Sequence, residues 1–195
     1  MERRAKLERK TSEVEVSVDI NLDGSGKYEI YTGIPFLDHM LAQFAKHGYF
    51  DLSLRAKGDI EVDFHHTVED IGLALGNAIL EALGDKRGIV RFGEAFVPFD
   101  ETLVFASVDL SGRPYFVYRA SIPKGKIGDF DAELGEEFFK SLSATLKCNL
   151  HIELRYGYNL HHIIEATFKA VARAVDKASR IDPRSEEIPS TKGKL

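Results

Sequence analysis

The chain contains the stretch Phe64-His65-His66-Thr67-Val68-Glu69-Asp70, and 96 residues later it contains a second version, Leu160-His161-His162-Ile163-Ile164-Glu165-Ala166. Both copies read apolar-His-His-x-x-Glu, and each one opens a segment with helical periodicity, over residues 71–83 and 167–179. Two copies of one motif, about half a chain apart in a sequence of 195 residues, indicate an internal duplication.

The segments around the two motifs also repeat in the same order. Alternating, strand-like segments that lead into glycine turns come first in each half. Helical patterns follow at residues 36–47 and 134–146, and each is succeeded by an alternating strand, at residues 51–55 and 149–154. We therefore expect an α+β protein of two similar units, each a sheet with two helices on one face.

The repeats divide the chain into two halves and a tail. We expect the first half to span residues 1–95, the second residues 96–180, and the tail residues 181–195. Pro183 ends the last helix, because the residue before a proline disfavours helical geometry. On its composition alone the tail reads as a polar terminus.

The composition is that of a globular protein and excludes several other classes. Hydrophobic residues make up 44% of the chain and charged residues 29%. No apolar run approaches the roughly 20 residues of a membrane span, and the charged residues 1–10 lack the apolar segment of a secretory signal. Cys148 is the one cysteine, and the net charge of −5 argues against a nucleic-acid-binding face. We expect a cytoplasmic protein with neither a membrane nor a nucleic-acid partner.

The histidines and the glutamate of each motif have a spacing suited to metal ions. Because each helical residue turns by about 100°, Glu69 falls between the imidazoles of His65 and His66, one turn further on. His65 and Glu69 can share an ion, whereas His66 points away, and the second copy has the same arrangement. Two diverging pairs of histidines suggest two ions, or two half-sites that contribute to each ion.

Imidazole and carboxylate without thiolate suit manganese, iron, cobalt, nickel or zinc, and we favour an octahedral ion over a closed tetrahedral zinc site. Further ligands should come from the preceding helix of each half. His39 lies 26 residues before His65, and the matching place in the second half is near Glu137, with Glu136 as the adjacent alternative. Without the repeat, His39 would read as a polar residue at the start of a helix.

Four motifs carry a family resemblance. They are Leu37-Asp38-His39-Met40-Leu41, His65-His66-Thr67-Val68-Glu69-Asp70, Gly157-Tyr158-Asn159-Leu160-His161-His162-Ile163-Ile164-Glu165-Ala166 and Ser190-Thr191-Lys192-Gly193. Together, and in this order along essentially the whole chain, they resemble the imidazoleglycerol-phosphate dehydratase family. That resemblance implies a hydro-lyase of histidine biosynthesis, which converts imidazole glycerol phosphate into imidazole acetol phosphate and water.

The resemblance also implies an architecture and a metal centre. The fold would be a duplicated unit similar to the second domain of ribosomal protein S5, assembled as a 24-subunit shell with two manganese ions at the subunit interfaces. The metal ligands would be His39, His65, His66, Glu69, His161, His162 and Glu165. The remaining ligand position is histidine in many members and falls at Glu137 here, which keeps a donor but bears on affinity and ion preference.

The same resemblance implies how the substrate is held and converted. Two ions on the ring nitrogens would favour an imidazolate, whose electron density expels hydroxide and gives a diazafulvene-like intermediate before the adjacent proton is lost. Glu13 matches the family's proton-transfer glutamate, although on sequence alone it reads as a solvent-facing strand carboxylate. Substrate and phosphate contacts are expected from Gln43, Arg91, Arg113, Lys169, Ser190 and Lys192.

Two other functions fit parts of this pattern. A dinuclear metal hydrolase acting on phosphate esters would also use two metals and a basic tail, and it would release phosphate. A non-enzymatic module would use the metal as an assembly clip and S5-like units to bind RNA, which the acidic net charge opposes. Phosphate release and turnover distinguish the three functions.

Overall fold

Ten strands and four helices form the described part of the chain, residues 3–120 and 122–195 of a computed structural model. The strands are β1 (Arg4–Lys10), β2 (Val14–Asn21), β3 (Tyr28–Tyr31), β4 (Asp51–Gly58), β5 (Phe92–Phe99), β6 (Thr102–Asp109), β7 (Tyr115–Arg119), β8 (Lys126–Ile127), β9 (Phe130–Asp131) and β10 (Asn149–Tyr156). The helices are α1 (Pro35–Gly48), α2 (His65–Leu83), α3 (Leu134–Leu146) and α4 (Leu160–Ser179).

The strands build two four-stranded sheets with the same topology. The first sheet has the order β1-β2-β4-β3 and the second the order β5-β6-β10-β7. In each sheet the first three neighbours pair antiparallel, and the last strand joins in parallel. The predicted α+β duplication is therefore confirmed in the backbone.

The four helices lie between the two sheets. Helices α1 and α2 pack on the first sheet, and α3 and α4 pack on the second. Across the middle, α1 contacts α4 and α2 contacts α3. One hydrophobic core therefore runs through both halves, with stacked aromatic rings such as Phe138 and Phe168 near its centre. This packing brings the start of each motif helix beside a helix of the other half.

Most predicted elements are present, and the differences have local causes. Helix α3 has the predicted bounds, and α2 and α4 begin at the His-His motifs themselves. The short hairpin of β8 and β9 has no counterpart in the first half and was not predicted. Residue 95, the expected end of the first half, lies within β5, an edge strand that pairs along its whole length with β6 of the second sheet. None of the helices in the described part of the chain is long and apolar enough to cross a bilayer.

Two glycines of α2 allow its close contact with α3. A Cβ on Gly72 would lie 2.7 Å from the carbonyl oxygen of Phe138, and a Cβ on Gly76 would lie 2.4 Å from that of Leu142. Both distances are shorter than a van der Waals contact. The two carbonyl oxygens belong to the backbone of α3, so they cannot move aside without moving that helix. Small residues are therefore required on this face of α2, although glycine is a poor helix former.

We expect Gly76→Ala to lower the free energy of unfolding by about 1–2 kcal/mol. Overpacking of a helix contact costs about 1–3 kcal/mol, and the better helix propensity of alanine offsets up to about 1 kcal/mol. Urea denaturation of the metal-free chain, followed by circular dichroism, measures the change. Glu81→Ala on the exposed part of the same helix is the control, and equal stability of both variants would contradict the packing argument.

Candidate metal centre and active site

The start of α4 and the first turn of α1 bring together one cluster of metal-binding side chains. The Nε2 atom of His39 lies 3.2 Å from Oε2 of Glu165, and Nε2 of His161 lies 3.0 Å from the same oxygen. One donor atom from each of these three residues lies within 4.8 Å of the other two. Two imidazole nitrogens and a carboxylate thus converge from helices of different halves.

Local hydrogen bonds determine where these side chains stand. The Asn159 side chain caps α4 by accepting hydrogen bonds from the backbone N–H groups of His161 and His162, at 3.0 and 3.3 Å. The Asp38 carboxylate accepts hydrogen bonds from the backbone N–H and the hydroxyl of Thr32, at 2.8 and 2.6 Å, which secures the start of α1. Both helix starts are therefore held in place independently of any ion.

Lys169 provides positive charge beside the buried carboxylate of this cluster. Its Nζ lies 2.6 Å from Oε1 of Glu165, one turn further along α4. Burial opposes ionisation of Glu165, but the hydrogen bond and charge of Lys169, with the bonds from His161 and His39, outweigh it and lower the pKa of this carboxyl. Glu165 is therefore an anion with one oxygen directed at the two histidines.

The corresponding residues of the first motif gather more loosely. His65 and Glu137 line one open cleft between the starts of α2 and α3, together with Glu136. Glu137 forms an ion pair with Lys140 at 3.2 Å, and Glu69 is half-buried on α2. In residues 3–120 and 122–195, the cluster of His39, His161 and Glu165 is the one group of three or more histidine, cysteine, aspartate or glutamate residues whose donor atoms all come within 4.8 Å of each other.

The second histidine of each motif turns away from the first. Ring planes of the adjacent histidines stand at 83° in the first motif and 82° in the second, with centroids 6.2 Å apart in both. His66 places Nδ1 3.1 Å from Asp59 and 3.7 Å from Glu13. His162 places Nδ1 2.6 Å from Glu101, while its Nε2 lies 3.9 Å from Asp100. In each motif the two imidazoles therefore point in different directions, and the second one faces a carboxylate.

Asp59 and Glu101 are site residues that the sequence reasoning missed. Glu101 lies in the tight turn between β5 and β6, at the place where Glu13 lies in the turn between β1 and β2. Aligning the two halves through these turns, instead of through the helices alone, would have pointed to Glu101. Asp59 directly follows β4, six residues before His65, and carried no signal of its own.

The substrate-binding residues expected from the resemblance fall into two groups. Gln43 and Lys169 lie on the facing sides of α1 and α4, where His47 bonds to Gln43 at 3.1 Å. Burial and the charge of Lys169 lower the pKa of His47. Arg91 binds Asp109 through two nitrogens, at 2.8 and 3.2 Å.

The C-terminal tail runs past Arg91. The Arg91 guanidinium donates a hydrogen bond to the carbonyl oxygen of Pro189 at 2.8 Å. The backbone N–H of Gly88 donates to the backbone carbonyl oxygen of Glu187 at 2.9 Å. Lys192 is exposed, and its backbone N–H donates to the Ser190 hydroxyl at 3.2 Å. Arg113 is also exposed. The tail therefore follows the surface beside one candidate phosphate ligand, but the structure does not place Arg113 in either group.

Comparison with known proteins identifies the family. A family model described as imidazoleglycerol-phosphate dehydratase matches residues 32–175, which include both His-His-x-x-Glu motifs and His39. The chain belongs to the imidazoleglycerol-phosphate dehydratase family. As a member of this family it is a hydro-lyase of histidine biosynthesis.

Relatives and solved structures of this family match over nearly the full length. The imidazoleglycerol-phosphate dehydratases of Pelobacter propionicus and Geobacter metallireducens are 59% and 55% identical over 195 residues, covering all of both chains. A crystal structure of the Staphylococcus aureus dehydratase has a TM-score of 0.82 at 40% identity, covering 92% of this chain and 98% of that one. A Pyrococcus furiosus dehydratase, in complex with (S)-C348, has a TM-score of 0.84 at 38% identity, covering 97% of this chain and 100% of that one.

Proposed function

We propose that the chain dehydrates imidazole glycerol phosphate at a site that holds two manganese ions. The observation that carries this proposal is the convergence of His39, His161 and Glu165, whose donor atoms lie within 4.8 Å of one another. Two imidazoles and one carboxylate without thiolate are a donor set that suits manganese. The ionised state of Glu165, supported by Lys169, keeps the carboxylate available as a ligand.

The donors would divide into two groups, each built on one motif helix and completed from the other half of the chain. The group on α4 would be His39, His161, His162 and Glu165, and the group on α2 would be His65, His66, Glu69 and Glu137. Ions held by these residues would supply Lewis-acid stabilisation of negative charge on the substrate ring. Glu137 offers a carboxylate where many members of the family offer an imidazole, so the ion at this half-site should be bound with a harder donor set.

Glu13 is the group that we assign to proton transfer at the substrate carbon next to the leaving hydroxyl. Its side chain is 53% exposed and lies 3.7 Å from His66, so it faces open space beside the metal-binding residues. The Thr11 hydroxyl accepts a hydrogen bond from the Glu13 N–H, and Asp70 of α2 binds Arg9 of the adjacent strand at 2.8 Å. The turn carrying Glu13 is therefore anchored to the same helix that carries His66.

The phosphate would be bound by cations that already lie at the site or beside the tail. Lys169 is only 15% exposed and stands next to Glu165, while Arg91 holds the tail through the Pro189 carbonyl. A guanidinium binds phosphate as a fork and an ammonium binds it as a point charge. We propose that Ser190 and Lys192 close over the phosphate from the tail, with Gln43 and Arg113 as further contacts.

The orientation of the second histidine of each motif supports a metal centre shared between copies of the chain. His66 and His162 direct their rings away from the clusters of their own motifs, so they are placed to serve ions held mainly by another copy. We propose that manganese joins subunits in this way, within the 24-subunit shell that the sequence resemblance implies. Closed assemblies built from identical interfaces are the usual result of such sharing.

One experiment tests the proposed function directly. The purified chain is dialysed against manganese, its metal content is measured by plasma mass spectrometry, and its reaction with imidazole glycerol phosphate is followed by mass spectrometry of the product. We expect about two manganese ions per chain and loss of one water from the substrate. Release of inorganic phosphate would identify a phosphoesterase instead, and metal binding without turnover would identify an assembly module.

Lys192→Ala should raise the KM for imidazole glycerol phosphate by about tenfold and leave kcat nearly unchanged. A hydrogen bond to a charged group contributes about 1.5–3 kcal/mol, and 1.4 kcal/mol is a factor of ten. Steady-state kinetics measure the change, and Lys194→Ala, which removes a neighbouring exposed charge of the tail, is the control. An unchanged KM in Lys192→Ala would show that the tail does not contact the phosphate.

A further inference from the structure

The second histidine of each motif has a carboxylate beside its Nδ1 atom. Glu101 Oε2 lies 2.6 Å from Nδ1 of His162, and Asp59 Oδ2 lies 3.1 Å from Nδ1 of His66. These carboxylates come from different places in the repeat, since Glu101 lies in the turn between β5 and β6 and Asp59 follows β4. The two halves therefore make the same contact with non-equivalent residues, which duplication alone does not explain.

Glu101 is held in place by more than His162. Its Oε1 atom accepts hydrogen bonds from the backbone N–H of Asn159 at 2.9 Å, the N–H of Tyr158 at 3.3 Å and the hydroxyl of Thr102 at 3.0 Å. One oxygen thus holds the loop before α4, and the other oxygen faces His162. The side chain is 22% exposed, so its orientation is determined by these contacts.

The contact determines which ring nitrogen of a neutral His162 carries the proton. An ionised carboxylate only accepts hydrogen bonds, so the hydrogen bond at Nδ1 requires a proton on that nitrogen. The Nε2 atom of the neutral ring then keeps its lone pair. A metal-binding histidine needs this arrangement, in which one nitrogen donates to a neighbour and the other is free to coordinate.

We propose that Glu101 is a positioning residue, which holds His162 as the Nδ1–H tautomer and so keeps Nε2 available as a metal donor; Asp59 does the same for His66. The inference rests on the proposed function in one respect, that His162 and His66 are metal ligands. The tautomer itself is a property of the metal-free chain and does not depend on that function.

Glu101→Gln tests the proposal without a change of shape. The three donors around Oε1 require the amide oxygen at that position, because an amide nitrogen there would face three donor groups. The amide NH2 must then face Nδ1 of His162 and donate to it, which moves the ring proton to Nε2. We expect manganese affinity to fall by 10–100-fold, about the usual loss when a residue behind a metal ligand is changed, while the fold is kept.

Asp59→Asn is the matched variant at the other histidine. The second oxygen of Asp59, Oδ1, is buried and has no hydrogen-bond partner among the described residues, so an NH2 group at that position would lack an acceptor and the amide turns its NH2 towards Nδ1 of His66. We expect this variant to lose manganese affinity by a similar factor, about 10–100-fold. Glu94→Gln, on the same hairpin as Glu101 but paired with Lys177 at the surface, controls for the loss of one negative charge.

Two measurements decide the proposal. Free manganese in a titration is followed by electron paramagnetic resonance, and the histidine tautomers of the metal-free chain are read from solid-state nitrogen-15 spectra, with His162→Gln to assign the signal. A protonated Nδ1 in the wild-type chain and a protonated Nε2 in Glu101→Gln support the proposal. An unchanged tautomer, or equal losses of affinity in all three carboxylate variants, would overturn it. A wild-type chain that binds no manganese would refute the proposed function, and the nitrogen spectra would still decide the tautomer.

Discussion

Glu165→Gln should reduce turnover of imidazole glycerol phosphate by about a thousandfold or more and remove manganese from the cluster of His39, His161 and Glu165. Oε1 of Glu165 accepts a hydrogen bond from Lys169 at 2.6 Å, so the amide oxygen of the variant stays on that side. The amide NH2 then occupies the place of Oε2, between Nε2 of His39 and Nε2 of His161. An amide nitrogen does not coordinate a divalent ion, and here it would donate to the two atoms that should bind the metal.

The size of the effect follows from the chemistry that depends on the ion. Lewis-acid stabilisation is worth several kcal/mol of the barrier, and each 1.36 kcal/mol is a factor of ten in rate. The variant keeps a hydrogen bond to Lys169, so we expect the helix to remain folded. Metal content, steady-state kinetics and light scattering measure occupancy, turnover and assembly size on the same sample.

Glu81→Gln provides the comparison for a glutamate on an exposed part of a helix, and it should leave all three measurements unchanged. If Glu165→Gln retained manganese and turnover, the cluster of His39, His161 and Glu165 would be a hydrogen-bonded feature of the fold and not a metal site. Smaller assemblies accompanying the loss of metal would support ions shared between subunits.

The sequence predicted those parts of the fold that repeat between the two halves or that have a regular hydrophobic periodicity. The two His-His-x-x-Glu motifs, each at the start of a helical pattern, identified the duplication. The helix predicted over residues 134–146 has those bounds in the structure. The hairpin of β8 and β9 could not be predicted, because it interrupts the repeat with only two residues in each strand. Edge strand β5 was divided by the predicted boundary at residue 95, since its partner β6 is recognisable only once the sheet is assembled.

Site contacts between residues of one helix could be predicted from the sequence. Contacts between residues that are far apart in the sequence were harder to predict. His161 and Glu165 are one turn apart, so their contact follows from the pitch of the helix. The approach of His39 to this pair depends on the packing of α1 against α4, which no local pattern encodes. Glu101 reaches His162 from a turn 61 residues away, and only the alignment of the two hairpin turns could have identified it.

Glu13→Gln should lower kcat by about 10²–10⁴-fold while manganese content and KM stay near wild-type values. This is the usual contribution of a positioned proton-transfer group. Among the carboxylates beside His66 and His162, Glu13 is more exposed than Asp59 or Glu101 and lies further from its histidine. Asp59 makes the closer contact with His66, at 3.1 Å against 3.7 Å for Glu13, and Glu101 is occupied by His162 and backbone N–H groups.

Asp100→Asn is the decisive comparison for Glu13, because Asp100 is an exposed carboxylate near a histidine of the second motif. Its side chain is 74% exposed and lies 3.9 Å from Nε2 of His162, in the turn that corresponds to the one carrying Glu13. If the loss of kcat appeared in Asp100→Asn and not in Glu13→Gln, the proton would be moved from the second half of the chain. A loss confined to Glu13→Gln would show that the two halves have diverged, one turn moving a proton and the other holding a metal-binding histidine in place.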